Sequence, residues 1–189
     1  MTRGKKPSES YVGKSVRAKE ARAPLIGKAK YTNDYTFSGQ LYAYILRSPH
    51  AAAKINSVDV SGAKKVAGVH LAISGQEVFN HTNGITDHLN PAIFGGKSTR
   101  LPCMAVDEVW CYGQPVAIVV AEDERTARYA ASRIQVDYTP LEPVIDAEKA
   151  MAPGARSVVP DWEDNVLMYV PFLNGDTQVA FDQASHIIT

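Results

Sequence analysis

Residues 41–48 read LYAYILRS, dense in aromatic and β-branched side chains, and predict a strand. Pro49 closes it, because proline has no amide donor and restricts the residue before it. The stretch KINSVDVSGAKKVAGVHLAIS parses as a strand over 55–60, a short helix, and a strand over 69–73. Ser61 is placed to cap that helix through its hydroxyl, and Gly68 supplies the left-handed conformation that ends it. Ser74-Gly75-Gln76-Glu77 has capping-box spacing and predicts another short helical turn.

The strongest local pattern lies further on, in YGQPVAIVVAEDERTARYAASRIQVDY. Residues 116–121 form a continuous apolar run between Pro115 and an acidic cluster, as in a strand buried on both faces. Ala127, Ala130, Ala131 and Ile134 then recur at helical spacing, giving a helix whose small apolar side can lie close against a sheet. Glu122, Asp123 and Glu124 stand at its positive end, with Arg128 and Arg133 further along, as the helix dipole favours. Residues 134–138 resume as a strand. Two strand–helix–strand units predict an α+β fold, a mixed sheet with helices packed on it.

The flanks are different. Residues 1–18 read as a flexible basic lead, followed by an extended entry segment. Residues 81–100 carry Asn-Gly, Asn-Pro and Gly-Gly breakers and no sustained period, so this loop is either partner- or substrate-facing or a surface excursion. Past Pro143 the chain thins into turns, and GDTQVAFDQASHIIT predicts a short amphipathic helix and the beginning of a strand whose partner lies elsewhere. Three parts follow: a lead over 1–18, a domain over 19–150, and an incomplete region over 151–189.

A chain of 189 residues, 45% hydrophobic and 21% charged, is long enough for one real core and is neither disordered nor membranous in composition. Its 20 basic and 20 acidic residues cancel, which removes the electrostatic footprint of a nucleic-acid or anionic-membrane partner. The apolar runs fall well short of the ~20 residues that span a bilayer, and no apolar segment follows the basic amino terminus, so neither signal nor anchor is expected. Cys103 and Cys111 fit neither zinc, redox nor disulfide spacing. They read as reduced, buried thiols, which points to the cytoplasm.

Candidate chemistry is sparse. FGGKSTR matches the tail of a phosphate loop, but Pro91 stands where the first glycine belongs and no buried strand precedes it. His81, Asp87 and His88 could be imagined as metal ligands, yet three residues on an unperiodic segment read better as exposed loop polars. His50 and His70 read as hydrogen-bonded structure rather than catalytic bases. No nucleophile elbow, paired acids or dinucleotide fingerprint appears. Gly113-Gln114-Pro115 is a turn into the buried strand, and Gln114 is the candidate for hydrogen-bonding a partner or cofactor. No catalytic residue and no metal ligand is assigned, which favours a scaffold or binding role.

Three blocks, APLIGKAKYTNDY, GQLYAYILRSPHAAAKINSVDVSGAKKVAGVHLAISGQEV and LPCMAVDEVWCYGQPVAIVVAEDERTARYAASRIQVDYTPLEPVIDAEKA, occur in order over residues 17–150. Together they resemble the amino-terminal α/β-hammerhead domain of xanthine dehydrogenase and aldehyde oxidase type molybdenum hydroxylases, closest to carbon monoxide and aldehyde dehydrogenase large subunits. NGDTQVAFDQASHIIT is similar to the family's link into its molybdenum-binding portion. One departure is Ala52, in Ser48-Pro49-His50-Ala51-Ala52-Ala53, where the family often has histidine; this weakens any histidine-based role and leaves the fold untouched.

The resemblance implies oxidation of an aldehyde, heterocycle or carbon monoxide with water-derived oxygen. It implies a molybdopterin cytosine dinucleotide type cofactor in the complementary region, and iron–sulfur clusters and FAD in partner subunits, with none bound by this chain alone. Its partners would be the molybdenum-binding remainder of the large subunit, the iron–sulfur and flavin subunits and a small-molecule substrate, with no nucleic acid and no membrane. The isolated chain would be inactive. The alternative is a free-standing hammerhead binding or assembly module without a redox role.

Overall fold

The structure, a computed structural model, describes residues 11–85, 96–97, 101–172 and 174–188. The chain forms two compact units, Met1–Gln40 and Leu41–Thr189. In the first, α1 (Arg22–Leu25) and a 3-10 turn at Thr32–Asp34 bend the segment expected to be extended. The Asp34 carboxylate accepts from the Tyr31 amide at 2.8 Å. Such a local side-chain bond offers the backbone an alternative to extended chain.

The second unit contains β1 (Tyr42–Arg47), β2 (Ala53–Asp59), α2 (Ser61–Lys64), β3 (Val69–Ser74), α3 (Gly75–His81), β4 (Glu108–Val109), β5 (Pro115–Ala121), α4 (Glu124–Ala131), β6 (Gln135–Pro140), α5 (Ala147–Ala150) and α6 (Thr177–Asp182). The α+β class and the helices packed on sheet are as expected. The single mixed sheet resolves instead into two three-stranded antiparallel sheets, ordered β1-β5-β3 and β4-β2-β6. Each strand–helix–strand unit therefore hands the chain from one sheet to the other. For β2 to β3 the reason is length: the connection of residues 60–68 is shorter than the dozen or so residues that a parallel crossover needs.

β5 is the centre, with Ile118 in register with Ile45 on one side and Ile73 on the other. Its alternate faces feed two apolar clusters. Ala117 and Val119 join Ala72, Val60, Ala63 and Ile134 with Ala130 and Ala131 of α4, whereas Val116 joins Ala105 and Val109. Ala127, Ala130 and Ala131 are 0–1% exposed, so the small face of α4 is closed against β1 and β5 as its spacing predicts.

The caps are mostly where the sequence puts them. Ser74 Oγ accepts from the Glu77 amide at 3.3 Å while Glu77 Oε2 accepts from the Ser74 amide at 2.8 Å, a reciprocal capping box. Asp123 caps α4 by accepting from the Thr126 amide at 2.8 Å. Ser61 is a correction. It is the first helical residue, and its amide donates to Asp59 Oδ1 at 2.8 Å, so the carboxylate two positions earlier satisfies the orphan donor. Gly68 takes the left-handed conformation, φ +83°, as expected.

A further expectation fails. Cys103 and Cys111 are free thiols, but both are exposed, because they lie in bends flanking β4 rather than on the apolar faces of strands. Ile187 and Ile188, expected to begin a strand whose partner lies elsewhere, are 56% and 97% exposed and pair with no edge among the described residues. The short helix before them is present as α6, capped by Asp176 through the Val179 amide.

Candidate functional site

A groove of about 520 Å³ runs between the end of α3, the β4 region and the loop of residues 157–165. Phe79 of α3, Trp110 just past β4 and Trp162 of the loop give it aromatic walls, and Asp107, Glu108 and Asp161 give it carboxylates.

Local hydrogen bonding builds the far wall. Asn165 accepts from the Val158 amide at 2.7 Å and donates to the carbonyls of Arg156 and Ala150 at 3.0 Å each, which ties residues 150–166 into a folded loop. Two ion pairs fasten that loop to earlier chain. Arg156 Nη1 stands 3.7 Å from Glu108 Oε2, and Lys97 Nζ pairs with Asp164. Lys97 also lies over the Trp162 ring, 5.3 Å from its centroid, and its amide donates to the Leu167 carbonyl at 2.8 Å. The hydrogen bond from Lys97 holds the Asp164 carboxyl below the ordinary carboxylate range. Lys97, the lysine of the phosphate-loop lookalike, thus serves a structural ion pair.

Gln114 does not line the groove but holds the backbone of Trp110, which does. Its Oε1 accepts from the Trp110 amide at 2.6 Å, and its own carbonyl accepts from the Ser48 amide at 2.9 Å, so it closes the turn that leads into β5. That role was absent from the sequence reading, although the Gly113-Gln114-Pro115 turn itself was legible. Trp110 Nε1 is buried and has no hydrogen-bond partner among the described residues.

The remaining candidates disperse. His81 ends α3, while Asp87 and His88 lie outside the described residues, as does most of the 81–100 loop. Within that loop, Ile85 bridges Leu101 antiparallel. The His50 ring packs edge-on against Tyr138, with centroids 5.0 Å apart, and its amide donates to Ser48 Oγ at 3.0 Å. Burial pushes the Tyr138 phenol up, against a smaller opposing hydrogen bond from Ser48. His70 stands half exposed, 3.6 Å from Glu122. Among the described residues no group of three or more His, Cys, Asp or Glu could hold a metal.

Neither does this surface fit a pterin dinucleotide. The acceptor oxygen of Gln114 is already engaged, and Asp107 and Asp161 would face the anionic phosphates of such a group.

Two antiparallel sheets exchanging strands through short helices, with an apolar alanine-faced helix on the central strand, define the α/β-hammerhead architecture. The chain belongs to the aldehyde oxidase and xanthine dehydrogenase family, matching its a/b hammerhead domain over residues 26–142. It is 33% identical over 96% of its length to the nicotine 6-hydroxylase large subunit of Paenarthrobacter nicotinovorans, and 34% identical over 74% of its length to the carbon monoxide dehydrogenase large chain of Afipia carboxidovorans. Among solved structures it resembles quinoline 2-oxidoreductase from Pseudomonas putida 86, with a TM-score of 0.73 and 34% identity over 81% of the chain. The chain spans 22%, 16% and 19% of those three proteins, respectively. No helix among the described residues is long and apolar enough to cross a membrane.

Proposed function

We propose that this chain serves as the amino-terminal portion of the large, molybdopterin-binding subunit of a molybdenum hydroxylase and acts by packing against the molybdenum-binding portion. The reaction is oxidation of an aldehyde, heterocycle or carbon monoxide with water-derived oxygen. A molybdopterin cytosine dinucleotide type cofactor sits in the complementary region, and iron–sulfur and flavin subunits carry the electrons away. Residues 19–150 are the hammerhead proper and residues 151–189 begin the molybdenum-binding region, a division that the family match ending at residue 142 supports. The free thiols fit a reducing, cytoplasmic setting.

One observation carries this reading. Tyr169, Phe172, Phe181 and Ile188 are 57–97% exposed, whereas the strands and α4 bury their apolar faces. Large apolar side chains left in water along the carboxyl-terminal stretch, beyond a closed core, suit a covering partner.

The test is coexpression of this chain with the molybdenum-binding portion of a related large subunit. Copurification, retained molybdopterin and dye-linked oxidation that depends on this chain are expected. A combination that stays apart, or a chain whose absence leaves activity unchanged, refutes the proposal in favour of a free-standing module.

A further inference from the structure

We infer that the groove beside β4 is a docking site for an extended basic segment of a partner polypeptide, which sets an arginine or lysine against the tryptophan wall and beside Asp107 and Asp161. The charges favour it, although Asp107 and Asp161 are both exposed to water. Of the three carboxylates on the groove, Glu108 is answered by Arg156, and the neighbouring Lys97 is committed to Asp164. The side chains of Asp107 and Asp161 have no hydrogen-bond or ion-pair partner among the described residues. Two uncompensated negative charges on an otherwise apolar groove repel phosphates and acidic peptides and select a cation.

The aromatic wall narrows the choice further. Trp162 carries the Lys97 ammonium over its ring, and an aromatic face attracts a cation. Guanidinium, planar and weakly hydrated, suits such a wall better than a strongly hydrated ammonium. Val106, Val159 and Pro160 extend the apolar lining past the reach of one charged group, so the guest brings apolar neighbours along its backbone. The Asn165 network holds the loop wall in place before any guest arrives, which lowers the ordering cost of binding. This inference is independent of the enzyme class.

Both tryptophans of the chain line the groove, so intrinsic fluorescence reads the site directly. The 189-residue chain is titrated with a hexapeptide repeating leucine, proline and arginine, with twins carrying citrulline or glutamate for arginine, and with N-acetylarginine amide. The arginine peptide is expected to change the tryptophan emission saturably and to bind more weakly as salt rises. Its affinity should fall about tenfold in the Asp107→Asn/Asp161→Asn double variant, whose surface changes spare the core. Equal binding of the citrulline or glutamate peptide, unchanged affinity in the double variant, N-acetylarginine amide binding as tightly as the peptide, or no binding at all would each overturn the inference.

Discussion

Replacing Gly75 by alanine sets two local effects of opposite sign against each other. Gly75 is the first residue of α3 and is buried, with a backbone that alanine can adopt. Propensity alone would make Gly75→Ala stabilising by up to about 1 kcal/mol. Space decides otherwise. A Cβ at this position would stand 2.0 Å from the Ala105 carbonyl oxygen and 3.2 Å from Met104 Cβ. An ordinary carbon–oxygen approach is about 3.3 Å, so that carbonyl would have to retreat by roughly 1.3 Å. It is not free to do so, because the Ala105 amide donates to the Pro115 carbonyl at 2.7 Å, and Ala105 packs with Val109 and Val116. Overpacking at about 1–3 kcal/mol, with a weakened hydrogen bond of about 1 kcal/mol, outweighs the propensity gain and leaves a net loss of about 2 kcal/mol. Urea denaturation followed by far-UV circular dichroism measures it, with a lower midpoint at an unchanged slope expected. A variant as stable as the parent, or more so, would mean that the α3 and 101–105 segments are not packed backbone against backbone, and the argument would fail.

Three further outcomes are expected. Ala130→Leu, on the closed face of α4, should cost about 1–3 kcal/mol by overpacking, while Tyr129→Ala on the exposed face stays within about 0.5 kcal/mol; equal effects in thermal melts would contradict the packing of α4. Asn165→Ala removes three hydrogen bonds and should loosen residues 150–166 by about 2 kcal/mol, read as faster amide exchange there with β5 unaffected; unchanged protection would refute its role. The backbone hydrogen bond from Ser74 lowers the Glu77 pKa below its ordinary value, opposed in part by burial. Its contribution is therefore present above the unfolded glutamate pKa of about 4.3 and is lost as pH falls through the lower, folded one. Glu77→Gln should flatten the acid limb of a melting-temperature profile, and an unaltered limb would count against the capping box.

Legibility followed range along the chain. The run 116–121, the alanine spacing at 127, 130 and 131, and Ser74 with Glu77 are statements about neighbours within a few residues, and each element formed where those statements put it. The cap at Ser61 is not legible from spacing, because two oxygens compete for one amide and only the bend after β2 brings Asp59 to it. Cys103 and Cys111 were expected inside on residue type alone, while their exposure depended on where the chain bends around β4. The groove was invisible, since Phe79, Asp107, Trp110 and Trp162 are scattered in sequence and meet only through the fold.

What the sequence determined by itself was the family and the elements β1, β2, α2, β3, α3, β5, α4 and β6, because periodicity, caps and ordered blocks are carried by short-range spacing. What the tertiary structure decided was pairing and placement. Hydrogen-bond ladders do not depend on sequence order, so β2 and β3, neighbours in the chain, went to different sheets while β1 and β3 met on either side of β5. The loop of residues 150–166, read as thinning chain, became a groove wall because Asn165, Arg156 and Asp164 found partners that no local pattern announces.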